Sequence, residues 1–479
     1  MLIEKLIDGL PVFALANKNS PEITGISIDT RQLQEGELFI ALPGYDSDGH
    51  EFLKQAVKAG AAALLIEKDK KEKLPSDNQL PVYDCECTRK ILIQLLQRFY
   101  GNPSEELCLI GITGTNGKTT TTHLLETIFS TAGEKTGLIG TIARRFDGRS
   151  WKADRTTPSV VENYRCLHDW ADSGCRVAVM EVSSHGLEQG RVKGLSFAVS
   201  GFTNLSREHL DYHDDMEDYY RAKKKLFLQS DKNVICTEDE YGRRLAGELD
   251  ALSVGKNGDY RVEDIRSDLN GTDFKLVNPE GVELFLESPL TGLFNYKNIA
   301  LAAAIAWEAG VEPEMVSRGI AACPGIRGRC EKVLAEPAVL VDYAHTADAM
   351  ENIIGSIKPL VDGKLIVVFG AGGDRDRGKR PEMGAVAARL ADYSVITSDN
   401  PRSEDPLRII DDILVGMEGN NHLVEPDRGQ AIRRAIARAS RNDTVLILGK
   451  GHETEQVVGE RVIPFDDASV AREVAESLG

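Results

Sequence analysis

No stretch of this 479-residue sequence approaches eighteen uninterrupted apolar residues, so no membrane span is expected. Positive charge is scarce: 57 Lys and Arg stand against 75 Asp and Glu, a formal net charge of -18. That balance speaks against a general nucleic-acid binder, although a local basic site can still hold phosphates. The eight cysteines are scattered, and only Cys85 and Cys87 are close. No second pair stands at zinc-site spacing, so free thiols in a reducing cytoplasm are expected. The first residues, MLIEKLIDGLPVFALANK, lack the basic-then-apolar-then-small order of a signal peptide and read as a short amphipathic helix. With 42% hydrophobic and 28% charged residues, the composition is that of a soluble globular protein. At roughly 100–200 residues per domain, three domains are the natural expectation.

Three blocks are visible. In residues 1–102, ELFIAL (37–42) and AAALLIE (61–67) read as strands, and ECTRKILIQLLQRFYG as a closing helix before Gly-Asn-Pro. Residues 103–330 contain the strands LCLIGITG, VAVMEVSS (177–184) and FAVSGFTNL (197–205) between helical patterns. That alternation predicts a mostly parallel sheet with helices on both faces. Within this block, 255–288 read as hairpins turning at Asn270-Gly271 and Glu280-Gly281. In residues 331–479, VLVDYA, KLIVVFGAGG, YSVITSDNP and DTVLILGKG are strand-to-loop units of an open, Rossmann-like α/β sheet, whose ligands belong at the strands' carboxyl ends.

The segment CLIGITGTNGKTTTT (108–122) runs a buried strand through a Gly-rich turn into a helix. Gly114 and Gly117 let the backbone curl around phosphates, with the amides of Thr115, Asn116 and the helix start facing an anion. Lys118 supplies a point charge, and the Thr119 hydroxyl, followed by Thr120, can reach Mg²⁺. The match to G-x-x-x-x-G-K-[ST] is imperfect, since its first Gly position is Ile112 with Gly111 beside it. ATP binding follows, but a motor, a kinase and a ligase all fit.

Glu181 ends a strand, a usual place for an Mg²⁺-holding carboxylate; a solvated loop charge is the plain alternative. After the next strand, Asn204, Glu208, His209, Asp211, His213 and Asp214 crowd together. An exposed polar loop explains them equally, and His-x-x-x-His here is not the zinc-protease signature. Lys223, in YYRAKKKLF, reads by itself as a surface lysine on a helix. The third block carries GAGGDRDRGKRP (370–381), DNPRSEDP (399–406) and GKGHE (449–453), each after a strand. Glycines suit an anion-binding nest and arginines suit bidentate carboxylate contacts. Three such clusters in one sheet imply one convergent site for a small ligand with acidic and basic groups. Asp399 alone could equally serve a turn or helix cap.

These residues resemble the Mur ligase family, the ATP-dependent enzymes that add amino acids to the peptidoglycan precursor. The resemblance spans the whole chain: TGTNGKTTT, TTP (156–158), EVSSHGL (181–187), RAKKKLF, GLFNYKN (292–298), VDYAHT (341–346) and DNPRSEDP. The combination of EVSSH, GGDRDRGKRP, DNPRSEDP and GKGHE is similar to the members that add the third amino acid. It implies three α/β domains: 1–102 recognising the UDP end of a nucleotide sugar, 103–330 binding ATP, and 331–479 binding the amino acid. It further implies that Lys223 is carbamylated and, with Thr119, Glu181 and His209, holds Mg²⁺; Lys118, Lys223 and His209 become catalytic. Thr156, Thr157, Ser183, Gln189 and Arg191 match contacts to the UDP-N-acetylmuramoyl dipeptide, and Thr30 keeps a hydroxyl where Ser is common. Asn295 and Arg327 match nucleotide contacts, and Asp342 the carboxylate on the ribose. Ala347 departs from the family, where Pro is common.

The resemblance also places the amino-acid selector in DNPR. Arg402 marks the members that add meso-diaminopimelate, whereas lysine-adding members usually carry Asn. Arg402 can clamp the ligand's far carboxylate and Glu453 its far ammonium; Arg375, Asp399, Asn400, Pro401 and Gly449 complete the contacts. Lysine would leave Arg402 unpaired, at a cost of about several kcal/mol. The reaction implied has the D-glutamyl γ-carboxylate attack the γ-phosphate of ATP, giving an acyl phosphate that the amine then attacks. A cytoplasmic monomer, binding small molecules and closing its domains on them, is expected. A folate polyglutamate synthase, a lysine-adding ligase, a motor or kinase, and a non-catalytic ATP-binding regulator are the competing readings. The third block argues against the first and third, Arg402 against the second, and the presence of every proposed metal and phosphate residue against the fourth.

Overall fold

A computed structural model describes residues 1–17, 19–44, 47–210 and 212–478. Its contacts divide the chain into two compact units, Met1–Gly111, Lys135–Ala198 and Ala222–Asp231 in the first, Ile112–Glu134, Val199–Arg221 and Lys232–Gly479 in the second.

In the first unit, a five-stranded sheet has the order Phe13–Ala16, Val82–Cys85, Ala63–Glu67, Leu38–Ile40, Ile26–Ser27. Only the Phe13–Ala16 edge is antiparallel. Continuous apolar runs such as ALLI form the parallel strands because both faces are covered. Phe39, Leu53, Leu64, Ile66 and Val82 fill one core. The helix Thr88–Tyr100 buries Ile91, Leu92, Leu95 and Leu96, the spacing of one helical face. Further along, Thr136–Ile139 and Val177–Glu181 pair in parallel. The helix Val160–Asp172 starts on a complete capping box, Ser159 with Glu162.

In the second unit, the helix Lys118–Thr131 follows the phosphate loop. Residues 234–236 pair in parallel with 252–254, and Tyr260–Asp268, Gly271–Val277 and Glu283–Ser288 form the expected antiparallel hairpins. The helix Asn295–Glu308 is buried along almost its whole length, matching its lack of a polar face. A six-stranded sheet has the order Glu331–Ala335, Ala338–Asp342, Thr444–Leu448, Leu365–Phe369, Tyr393–Ile396, His422–Val424. All its pairs are parallel except the Glu331–Ala335 edge. Alternate strand residues serve opposite faces: Leu340, Leu365, Val367 and Leu446 one core, Val339, Val341, Ile366 and Val445 the other.

The strands Ala143–Phe146 and Arg149–Lys152 were not expected from the sequence. They form an antiparallel hairpin whose outer strand is wholly exposed, so no apolar run announces it. The hairpin Glu455–Val458 with Arg461–Pro464 was missed for the same reason. Among the described residues no helix is long and apolar enough to cross a membrane. All eight cysteines are free, most of them buried.

Candidate functional site

In the first unit, Glu181 ends its strand with 0% exposure. Burying a carboxylate requires donors, and Thr141 supplies two, its amide at 2.8 Å and its hydroxyl at 2.9 Å. The Thr141 hydroxyl also meets the Thr156 hydroxyl at 3.1 Å. Thr157 donates to the Glu181 carbonyl at 2.9 Å and accepts the Ser183 amide at 2.9 Å. Ser183 caps the helix Ser184–Glu188. Arg191 donates to the Thr157 carbonyl at 2.9 Å and twice to Gln189 Oε1. Thus Thr156, Thr157, Glu181, Ser183, Gln189 and Arg191 form one connected group. Gln189 and Arg191 also line a cavity of about 1150 Å³ shared with Thr30, Arg31, Arg89 and Arg155. Its cations suit a phosphorylated ligand. Lys223, at the end of the helix Met216–Lys224, is 2% exposed. The plain surface-lysine reading is therefore wrong.

In the second unit, the phosphate loop is built by close backbone approach. Gly114 has φ +146°, and a Cβ there would fall 1.8 Å from Thr203 Oγ1. Gly117 has φ +86°, with a Cβ position 2.2 Å from Asn298 Oδ1. A side chain at Gly114 would meet backbone as well as Thr203, and one at Gly117 would be strained by its positive φ and would have to displace the Asn298 amide. Asn204 accepts the Asn116 amide at 3.1 Å and donates to the Asn116 carbonyl at 3.0 Å, splinting the loop. The Thr115 amide donates to the Asn204 carbonyl at 2.8 Å, and its hydroxyl lies 3.3 Å from Tyr219. Lys118 Nζ folds back onto the carbonyls of Gly114 and Thr115 at 2.9 and 2.8 Å. Thr119 and Thr120 are buried in the first helical turn. Asn298 donates to Asn295 Oδ1 at 3.0 Å, which ties Asn295 to the Gly117 side of the loop. His209 sits at φ +57°, edge-on to Tyr219. Asp211, grouped with His209 in the sequence, lies outside the described residues.

Of the two arginines preceding the edge strand, Arg327 pairs with Asp466. Arg329 instead reaches Thr119 Oγ1 at 3.5 Å and lies 4.7 Å over the Tyr343 ring. The sequence reading selected Arg327; the structure puts Arg329 at the phosphate loop. Their two-residue spacing gives no means of telling them apart. Asp342 accepts the amides of Cys330 at 2.7 Å and Ala344 at 2.8 Å, and burial raises its carboxyl pKa.

The three polar clusters of the third block do meet. Asn400 Nδ2 donates to Glu453 Oε2 at 2.9 Å. Arg402, at φ +52°, donates to the Gly373 carbonyl at 2.7 Å. Its own amide donates to the Val457 carbonyl at 3.0 Å. Gly449 donates its amide to the Asp342 carbonyl at 3.2 Å. Gln456 holds the Asp399 carbonyl at 2.6 Å, and Asp399, Asn400 and Pro401 are buried. Arg375 is exposed on the loop carrying the glycines. Beneath the site, fully buried Arg428 pairs with buried Asp467 at 2.6 Å and donates to the carbonyls of Ser398 and Leu448. Arg380, also fully buried, clamps Glu404 and Asp412 at 2.7 and 2.8 Å. That bond to Arg380 lowers the Glu404 pKa to about 2. Arg428, Arg380 and Lys450 were not singled out by sequence, because buried charges carry no signature without their partners.

The four residues expected to hold magnesium belong to different units, Glu181 and Lys223 to the first, Thr119 and His209 to the second. Among the described residues no group of three His, Cys, Asp or Glu is placed to hold a metal by itself.

Comparison with known proteins gives three consecutive matches: the Mur ligase family catalytic domain over residues 22–100, the Mur ligase middle domain over 112–306 and the Mur ligase glutamate ligase domain over 328–451. Among curated relatives, the UDP-N-acetylmuramoyl-L-alanyl-D-glutamate--2,6-diaminopimelate ligase of Bacillus licheniformis is 42% identical, covering 98% of this chain and 99% of its own. That of Aquifex aeolicus is 43% identical, with 94% and 93% covered. A solved structure of a ligase with the same description has a TM-score of 0.68 at 32% identity, covering 95% of both chains. A folylpolyglutamate synthase of Mycobacterium tuberculosis shares the fold, with a TM-score of 0.62 at 18% identity over 81% of this chain and 94% of its own. With similarity of this extent running through all three α/β domains, the chain belongs to the Mur ligase family.

Proposed function

We propose that the chain is an ATP-dependent ligase that joins meso-2,6-diaminopimelate to the D-glutamyl γ-carboxylate of UDP-N-acetylmuramoyl-L-alanyl-D-glutamate, forming ADP and phosphate, in peptidoglycan precursor synthesis. The observation that carries it is the linkage of DNPR and GKGHE through Asn400 and Glu453, with Arg402 on the same loop. A paired acidic and basic subsite is what a far end bearing both an ammonium and a carboxylate requires. The relatives' shared description supports the same substrates.

The roles divide among segments 1–102, 103–330 and 331–479. The first unit's cavity, with Thr30 on its wall and Gln189 and Arg191 beside Thr156, Thr157 and Ser183, takes the UDP-muramoyl substrate. Lys118 exchanges its two carbonyl acceptors for phosphate oxygens of ATP. The amides of Gly117 and Thr120 are offered to the same anion, whereas those of Thr115 and Asn116 are engaged by Asn204 and hold the loop in shape. Asn295, Arg329 and Asp342 serve the nucleotide. Arg375, Asp399, Asn400, Pro401, Arg402, Gly449 and Glu453 shape the amino-acid subsite.

Thr119, Glu181, His209 and, if carbamylated, Lys223 would each be a suitable donor to Mg²⁺. Lys223 is buried, so it is not a freely solvated surface lysine, and a carbamate on it would be a hard oxygen donor. When bound, the ion would supply charge neutralisation for the transferring phosphoryl group. Lys118 adds to that neutralisation. The substrate γ-carboxylate attacks phosphorus, and the amine attacks the resulting acyl phosphate, releasing phosphate and leaving an amide. Positioning and electrostatics are the protein's contribution. The test is phosphate release from ATP and the muramoyl dipeptide with meso-diaminopimelate or L-lysine. Rapid release with the former alone is expected; equal rates, or preference for lysine, would overturn the assignment.

A further inference from the structure

Beneath Asn400 and Glu453 lies Lys450, 0% exposed. Its ammonium donates to Asn400 Oδ1 at 3.1 Å, Glu453 Oε2 at 3.0 Å and the Glu455 carbonyl at 2.7 Å. All three of its hydrogens are therefore used. Asn400 Oδ1 also accepts the Val457 amide at 3.0 Å, which fixes the amide group with Nδ2 towards Glu453. Both donors to Glu453 fall on Oε2, so Oε1 is the oxygen presented to an incoming ammonium.

Resting on the proposed function, we propose that Lys450 is a positioning and specificity-determining residue, which orients the Asn400–Glu453 pair and sets the charge of the subsite for the amino acid's far end. Arg402 and Lys450 are positive and Glu453 is negative, so these three groups leave the subsite positive. Among the buried and half-buried neighbours Asp399 and Lys379 cancel, and the exposed Asp374, Arg375 and Asp376 of the glycine loop are screened by water. The far end of diaminopimelate carries an ammonium and a carboxylate and is neutral overall. That of lysine is a lone cation and meets a positive site. Lys450 thus disfavours lysine without touching it, and Arg402 rewards the carboxylate. A neutral residue at 450 leaves Arg402 and Glu453 balanced, which suits lysine better.

The test compares wild type with Lys450→Met and Lys450→Arg. It measures kcat and KM for meso-diaminopimelate and for L-lysine, KM for ATP and the melting temperature. In Lys450→Met the ratio of kcat/KM for diaminopimelate over lysine is expected to fall by about tenfold or more, through KM for the amino acid, with KM for ATP changing by less than about threefold. Lys450→Arg keeps the charge and is expected to keep the ratio. If Lys450→Met does not fold, Lys450→Gln retains an amide donor and removes only the charge. An unchanged ratio in a folded neutral variant, or a lost ratio in folded Lys450→Arg, overturns the inference. Wild-type protein that turns over neither amino acid removes the proposed function itself. Wild type preferring diaminopimelate, with neutral variants that keep the preference, removes only the role of Lys450.

Discussion

The phosphate loop and the third-block site both gather glycines and cations at the carboxyl ends of strands, yet they are held together differently. The loop is stitched largely from backbone groups and short polar side chains: Asn204 on Asn116, Thr203 against Gly114, Lys118 on two loop carbonyls. The third-block site is braced from below by buried ion pairs, Arg428 with Asp467, Arg380 with Glu404, and Lys450 with Glu453. A backbone cradle recognises any phosphate of the right shape. A charged scaffold sets the sign and direction of each group it supports, and so can choose among amino acids. Generality and selectivity sit in different materials.

Four measurements can break or sharpen that contrast. Lys118→Ala should lower kcat by about 10³-fold with either amino acid, because it removes charge stabilisation common to every turnover. An effect that depended on the amino acid would blur the distinction. Arg428→Met strands Asp467 in the core and should cost about 3–5 kcal/mol of stability, the usual penalty for breaking a buried pair. Denaturant unfolding reads it, and a loss under about 1 kcal/mol would mean that the brace is dispensable. Arg402→Ala should raise KM for diaminopimelate by about 10–100-fold and leave KM for ATP unaltered, the mark of a lost charge-assisted contact. A parallel rise for ATP would contradict the separation of roles.

The smallest effect concerns acid. Burial pushes the His452 pKa from 6.5 to about 4. The folded state therefore binds this proton less readily than the unfolded chain. Its stabilising contribution is complete above pH 6.5 and is lost as pH falls from 6.5 to about 4. His452→Gln should flatten the fall of melting temperature in that window, and an unaltered pH profile would exclude the residue as a source.

Much of this was legible in the sequence, for physical reasons. Continuous Val, Ile and Leu runs become strands only when both sheet faces are covered, so ALLI and LIVVF announced parallel sheets. The hairpin expected at Asn270-Gly271 forms, but it turns one residue earlier, on Leu269-Asn270, with Asp268 accepting the amides of Asn270 and Gly271. Glycines and one lysine between strand and helix announced the phosphate loop. Contacts between remote side chains were not legible. Arg329 and Arg327 look alike until one is seen against Tyr343 and the other on Asp466. By its own segment Lys223 read as a surface lysine, and only the family resemblance pointed elsewhere before its burial was seen; Lys450 passed unmarked inside GKGHE although it holds two of the site's side chains.

The left-handed backbone of Arg402 bears on how such enzymes can change diet. Most side chains resist that conformation, but asparagine tolerates it better than almost any other residue with a Cβ. The family resemblance leads one to expect Asn at the matching position in members that add lysine. At this one place, exchange of arginine for asparagine needs no rearrangement of the main chain, because the loop already has the shape that both accept. If Arg402 selects the amino acid as proposed, a change of substrate at this place would run through a torsion angle as well as a charge.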